Sequence, residues 1–342
     1  MQKWNRFQYL PVRPLGKDGR MVTGSSEHIR LSRTAAAEGM VLLKNEHQLL
    51  PLQKGSRVAL FGKASADYVK GGGGSGDVTV AYVRNLCDGM EEKENEGKLS
   101  VFAPLNEFYR ENVAQQHKAG KNPGYTTEPE VPAELLKQAA RECDTAIISI
   151  CRFSAEGWDR KGEPDDGDFY LSREEQRMVA DVTAAFRKVV VVLNVGGMVD
   201  TSWFAHNDKI FSVLLAWQGG MEGAMAEADI LCGDVTPSGK LTDTFAASFD
   251  DYPSSANFND SKDYACYTDD IFVGYRYFET IPGAAEKVNY PFGFGLSYTS
   301  FDWTCEKTEI DSESIAVTLR VTNTGVYAGK EVLQLYTSAP KC

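Results

Sequence analysis

Short unbroken apolar runs alternate with amphipathic stretches from about residue 28 to residue 231. The runs Arg57–Gly62, Thr145–Ile150, Lys188–Asn194 and Ile210–Ala216 are too short for core helices and rich in β-branched residues, so they read as strands buried on both faces. A weaker strand is expected near Ser100–Phe102. Between them lie helical patterns. One starts at Ser25 or Ser26, which can cap it, and places Ile29, Ala36, Met40 and Leu43 on one face. Pro132 opens another, running through Cys143. Ser172 and Glu175 form a capping box before Met178, Val182, Ala185 and Phe186. A last helix, from about Glu222 to Leu231, follows the turn Gly219–Gly220. Strands alternating with helices predict an α/β fold, a mostly parallel sheet sandwiched by helices.

The pattern divides the chain. Residues 1–27, with Pro11 and Pro14, read as an N-terminal arm; 28–250 form the α/β-sandwich; 251–300 lack a clear period and form a connector packed on it. From 301 to 342 the period becomes two: Ile315–Thr322 and Glu331–Tyr336 alternate around the turn Asn323–Gly325, predicting about three strands of an incomplete β module.

Composition narrows the function. The net charge of −12 argues against a nucleic-acid or anionic-membrane partner, because either wants a basic face. No run of about 18 apolar residues offers a membrane span, and Met1–Leu15 lacks the apolar core of a signal peptide. Seven scattered cysteines without a CxxC suggest reduced thiols and a cytoplasmic setting. The four histidines, His28, His47, His117 and His206, are too far apart to suggest a metal site.

Two loops carry the candidate chemistry. Ser154-Ala-Glu-Gly-Trp-Asp-Arg160 follows the strand 145–150 and sets the carboxyl of Glu156 beside an aromatic ring and an arginine, a candidate proton donor for a polyhydroxylated substrate or, on spacing alone, a solvated glutamate on a surface loop. Lys70-Gly-Gly-Gly-Gly-Ser-Gly-Asp77 follows the strand 57–62. Its missing side chains would let backbone N–H groups approach a ligand, with Ser75 as the one hydroxyl among the glycines. In a parallel sheet both loops leave the same edge, so they can share a site. Gly71, Gly73 and Gly76 fit G-x-G-x-x-G, but they stand too far from the strand end for a dinucleotide turn, and no Gly-Lys-Ser/Thr makes a phosphate loop. The turns at Gly196–Gly197 and Gly219–Gly223 read as tight packing, and Glu163, Asp165, Asp166 and Asp168 as a solvated loop whose other role would be contact with sugar hydroxyls at the rim.

The chain resembles the C-terminal α/β-sandwich domain of family 3 glycoside hydrolases, the β-glucosidase family. The resemblance rests on Ala35–Asn45, Leu49–Leu52, the Lys70–Asp77 loop, Ser154–Arg160, Gly167–Ser172, Trp217–Gly223, Ala228–Asp234 with Pro237–Leu241, and Tyr290-Pro-Phe-Gly-Phe-Gly-Leu-Ser-Tyr-Thr299, in family order. It implies a retaining hydrolase without a cofactor, acting on β-glucosides or related oligosaccharides. Glu156 stands where the family's acid/base is found, with Ala155 replacing the usual glycine. Ser75, flanked by Gly74 and Gly76, stands where the Gly-rich loop touches the sugar. Trp158 would face the aglycone or pack the loop down; Arg160 would hold the loop with Asp159 or serve as a further substrate contact. The family's nucleophile and its Lys-His-Phe stretch belong to a (β/α)8 barrel that this sequence lacks; Asp302-Trp303 lies in the wrong context to replace it. The order resembles a permuted member, the barrel coming from the same gene or a second chain, and the segment from Phe301 resembles the start of a fibronectin-III-like module. Alone, the chain is expected to be inactive, with Glu156 facing water and little shifted. The alternative is a non-catalytic carbohydrate-binding or interaction module.

Overall fold

Six strands form the central sheet: β1 (Val41–Asn45), β2 (Ser56–Phe61), β3 (Leu99–Val101), β4 (Thr145–Cys151), β5 (Val189–Asn194) and β6 (Ile210–Leu215), in the order β1-β6-β5-β4-β2-β3. The pairs β2–β3, β2–β4, β4–β5 and β5–β6 are parallel; β1 pairs antiparallel with β6, Val41 opposite Leu215. The computed structural model describes residues 17–19, 24–158, 160–258 and 260–338, so most of the expected arm at 1–27 lies outside the described residues, as do Asp159 and Cys342.

Successive side chains of each strand enter opposite cores. Ala59, Phe61, Ile148, Val191 and Leu193 face one side with Leu105, Tyr109, Ala139, Met178 and Val182 from the helices α3 (Ala103–Lys118), α4 (Ala133–Glu142) and α5 (Arg173–Ala185). Val58, Leu60, Ile147, Val190 and Val192 face the other with Ala37, Leu86, Met90, Ala226 and Ile230 from α1 (Ser26–Gly39), α2 (Leu86–Asn95) and α6 (Gly223–Leu231). Each of the valine, leucine, isoleucine, phenylalanine and methionine side chains among them contributes about 1.5–3 kcal/mol by leaving water, and two such layers explain why the strands read as continuous apolar runs.

The first helix stops earlier than its periodicity predicts. Its cap is Ser25, but Met40 is already extended, and Leu43 belongs to β1. Gly39 weakens the last turn, and Met40-Val-Leu-Leu43, with at most 2% of any side chain exposed, satisfies a doubly covered strand better than one face of a helix. The capping box at Ser172 and Glu175 forms as expected; Phe186 caps the C-terminus of α5 rather than lying within it. Four described helices lie outside the expected set: α2, opened by an Asn85–Asp88 capping box, α3, with Pro104 in its first turn, and the short helices Ser202–Ala205 and Tyr275–Thr280.

Beyond residue 240 the chain is stitched to the sheet edge. Leu241 N–H donates to the Phe294 carbonyl (2.8 Å) and Leu296 N–H to that of Leu42 (2.9 Å), and the strands Phe245–Ala246 and Val288–Tyr290 pair. The expected three β-strands reduce to a two-stranded ribbon, Phe301–Ile310 with Ile315–Asn323, turning at 311–314 rather than at Asn323–Gly325. Glu331–Tyr336 forms no strand. Trp303, Ile310, Ile315, Leu319 and Val321 remain exposed on it. Among the described residues no helix is long and apolar enough to cross a membrane, and the six described cysteines are free thiols.

Candidate functional site

β4 delivers its loop from a rigid end. Immediately after the strand, the Arg152 guanidinium is buried and makes two parallel bonds of 2.8 Å to the Glu175 carboxylate. It also donates to the carbonyls of Cys151 (2.7 Å), Asp168 (2.6 Å) and Tyr170 (3.3 Å). A planar fork with five donors suits this task as no other side chain does. From this anchor the loop turns at Ala155–Trp158, with Gly157 at φ +77°, and its tip presents Glu156 to solvent.

The glycine-rich loop lies against that tip. Gly73 N–H donates to the Ser154 carbonyl (3.0 Å). A Cβ on Gly72 would stand 3.2 Å from the Ser154 carbonyl oxygen, one on Gly73 2.7 Å from the Ala155 methyl, and one on Gly74 2.4 Å from Cβ of Glu156. The glycine run therefore answers to the neighbouring loop. Side chains at 72–74 would push the two strand-end loops apart. Gly76 closes the short 3-10 turn Gly74–Gly76 and meets nothing within 4 Å. The Lys70 ammonium closes the loop's base by pairing with Asp77 (2.6 Å) and the Val78 carbonyl (2.9 Å).

These contacts bring two predicted residues together. The Ser75 hydroxyl donates to Oε2 of Glu156 at 2.7 Å, and the Ser75 backbone N–H donates to the same oxygen at 3.1 Å. Both bonds favour the charged carboxylate, the hydroxyl bond most, and hold Glu156 below the usual glutamate range. The carboxyl faces water, as expected, and is poised as an acceptor.

The other candidates face elsewhere. Arg160 is bonded to the Asp168 carboxylate and to the Met198 carbonyl (3.1 Å), and Asp168 also accepts from Lys161 N–H (2.7 Å). Asp165 pairs with Arg173 and Gln176. Asp166 pairs with Lys161 (3.5 Å), so the acidic stretch is bonded to its surroundings at three of its four members. Trp158, 55% exposed, meets Tyr125 edge-on with ring centroids 5.7 Å apart and lies 6.3 Å from Phe153. Gly219 sits where a side chain would strike Gly223 and Tyr68, the tight packing expected of that turn.

Beside Trp158 opens a cleft of about 860 Å³, whose lining includes Lys63, Tyr125, Glu128, Arg152, Phe153 and Lys161. Glu128 is buried at its base, accepting from the Lys63 N–H (2.7 Å) and the Tyr109 hydroxyl (3.0 Å). Burial pushes its carboxyl up to about 7. Sequence reasoning missed Tyr125 and Glu128, which sit in a polar loop without period. Arg152 did leave a signal, a lone charge directly after a largely apolar strand.

The described residues form no group of three or more histidine, cysteine, aspartate or glutamate side chains able to hold a metal ion. A family model for the glycosyl hydrolase family 3 C-terminal domain matches residues 40–298. "Beta-glucosidase A" of Butyrivibrio fibrisolvens is 52% identical across all of this chain, which covers 45% of that protein. A "Beta-glucosidase" of Ruminococcus albus is 39% identical over 93% of the chain, which covers 33% of it. Among solved structures, a β-glucosidase from Paenibacillus barengoltzii superposes with a TM-score of 0.82 at 39% identity, covering 89% of this chain and 34% of that one. The chain thus spans less than half the length of each of these three relatives.

Proposed function

Since the chain belongs to glycoside hydrolase family 3, we propose that it carries the general acid/base, Glu156, of a retaining β-glucosidase-type hydrolase. In this reading Glu156 protonates the departing glycosidic oxygen and later deprotonates the water that releases the sugar. The observation that carries it is the pairing of Glu156 with Ser75. Two loops from adjacent parallel strands converge on one exposed carboxylate, and a hydroxyl is placed to exchange that carboxylate for a sugar hydroxyl. Gly74 holds the approach, and Trp158 gives the leaving group an apolar face.

The nucleophile belongs to a (β/α)8 barrel, supplied by the same gene or by a second chain in the manner of a permuted family member. It must lie about 5–5.5 Å from the acid. Closure of the barrel over Glu156 would supply the burial and the second carboxylate that raise a general acid's pKa. The ribbon from Phe301, with its uncovered apolar side chains, fits the start of a fibronectin-III-like module, and the buried free thiols suit a reducing, cytoplasmic setting.

Two measurements test the assignment. The 342-residue chain alone should not turn over p-nitrophenyl β-glucoside, and a barrel-bearing partner should restore turnover. In the barrel-bearing protein, Glu156→Gln should slow alkyl glucosides, whose leaving groups need the proton, by about 10²–10⁴-fold. It should slow p-nitrophenyl glucoside much less; an equal loss on both would remove Glu156 as the acid.

A further inference from the structure

The glycine-rich loop stands on two feet, residues 68–70 before it and residues 82–84 after it. Both meet the turn at 217–222, which follows β6. At the first foot the buried amide of Asn194, the last residue of β5, accepts from the Val69 N–H (2.8 Å) and donates to the carbonyls of Val69 (2.9 Å) and Trp217 (2.7 Å). The Gly219 N–H donates to the Tyr68 hydroxyl (3.2 Å), and the Gly220 N–H to the Lys70 carbonyl (2.9 Å). A Cβ on Gly223 would stand 1.8 Å from that hydroxyl, so the turn closes on this foot without room for a side chain. Trp217 itself lies at φ +56°, a left-handed conformation that bulky residues avoid.

The second foot is gripped by one side chain of the same turn. The Glu222 carboxylate, 1% exposed, accepts from the Tyr82 hydroxyl (2.7 Å) and takes one Arg84 nitrogen on both oxygens (2.9 Å each). Hydrogen bonds to an ionised carboxylate are about twice as strong as neutral ones. Residues 78–85 form neither helix nor strand, so no ladder holds this limb in place of those bonds. Ser75 lies between the two feet, where it meets Glu156.

We propose that Glu222 is a positioning residue: by fixing the trailing foot against the turn that holds the leading one, it sets Ser75 on Glu156. Its carboxylate is spent on Tyr82 and Arg84 and acts only through the loop. The proposal rests on the acid/base reading of Glu156 for its consequence in catalysis, while the contact it controls belongs to this chain.

NMR titration of the Glu156 carboxyl in the 342-residue chain tests it. No bond is cleaved, so the outcome is separate from whether Glu156 is the acid. Glu222→Ala frees the trailing foot and should raise the Glu156 midpoint at least as far as Ser75→Ala does, because it releases the Ser75 backbone N–H along with the hydroxyl. Ser75→Ala added to Glu222→Ala should raise it no further, since both remove the same contact. Tyr82→Phe, at a partly exposed position, removes a single bond and should give a smaller shift in the same direction; it decides the matter where Glu222→Ala fails to fold. Glu91→Gln weakens the Arg110 pair between α2 and α3. It should lower stability and leave the midpoint in place, as a change that only loosens the fold would. An unmoved midpoint in Glu222→Ala and Tyr82→Phe, additive shifts in the double variant, or an equal shift in Glu91→Gln would overturn the proposal.

Discussion

Ser75 gives Glu156 two donors on one oxygen, a hydroxyl at 2.7 Å and a backbone N–H at 3.1 Å. Both stabilise the carboxylate and neither stabilises the acid. Under the proposed acid/base role, the group that would donate a proton is therefore held in its charged form in this chain. The bond to Ser75 has to weaken, or the surroundings become drier, before Glu156 can hold that proton at neutral pH.

The first prediction follows directly. In an NMR titration of the 342-residue chain, the Glu156 carboxyl should titrate below the ordinary glutamate value, and Ser75→Ala should move it upward. The sign is that of a depressed acid. Whatever stability the contact contributes is present above the unfolded pKa and lost as pH falls through the folded one. Because the carboxyl is exposed, the stability effect should be slight and the midpoint shift the clear readout. An unchanged midpoint in Ser75→Ala would show that the hydroxyl does not hold the charge.

Gly74 is the second lever. It sits at φ +67°, and a methyl there would stand 2.4 Å from Cβ of Glu156. Gly74→Ala must leave the left-handed region or push Glu156 away, at a cost of about 1–2 kcal/mol. The expected result is a modest loss in urea unfolding together with the same upward shift of Glu156 that Ser75→Ala produces, since the loop can no longer reach it. Gly76→Ala, with nothing within 4 Å, should do neither.

The residues themselves announce some of this and conceal the rest. The strands that become β2, β4, β5 and β6 are legible because a doubly covered parallel strand has only one pattern, an apolar run. That Glu156 and Ser75 share an edge follows from the same fact, since parallel strands put their following loops on one side. The early end of α1 is not legible from period alone, because Met40 and Leu43 continue the helix face, and only the burial of Val41 and Leu42 between them shows the strand. The glycine run misleads in a definite way. Close approach to a ligand and close approach to another loop call for the same missing side chains, and only the three-dimensional neighbours separate them. Tyr125 and Glu128 stay hidden because their positions depend on contacts with Trp158, Lys63 and Tyr109, all distant in sequence.

Arg152 and Glu175 provide the third prediction. Their side chains are 5% and 4% exposed, and the guanidinium is satisfied on both arms. Removing one partner leaves the other charge buried and uncompensated, which costs about 3–5 kcal/mol. Glu175→Gln should fall in that range by chemical denaturation, and Arg152→Met should as well. The double variant should recover part of the loss. Strict additivity of the two single changes would mean that the pair is not coupled.

Glu128 yields a pH dependence of the opposite sign. Burial pushes its carboxyl up from 4.5 to about 7, with the Glu175 charge adding to the effect while the Lys63 N–H, the Tyr109 hydroxyl and the Lys63 ammonium oppose it. The folded chain therefore keeps a proton that the unfolded chain releases. This contribution to stability is full below about pH 4.5 and is lost as pH rises through about 7. At about 1.4 kcal/mol per pKa unit, the loss is on the order of 3 kcal/mol. Glu128→Gln cannot titrate, so its unfolding free energy, relative to the parent chain, should rise by that order between pH 5 and pH 8. Urea unfolding at the two pH values measures the difference. Parallel curves for the two proteins would place the Glu128 pKa near its ordinary value and open the Lys63 N–H to other anions.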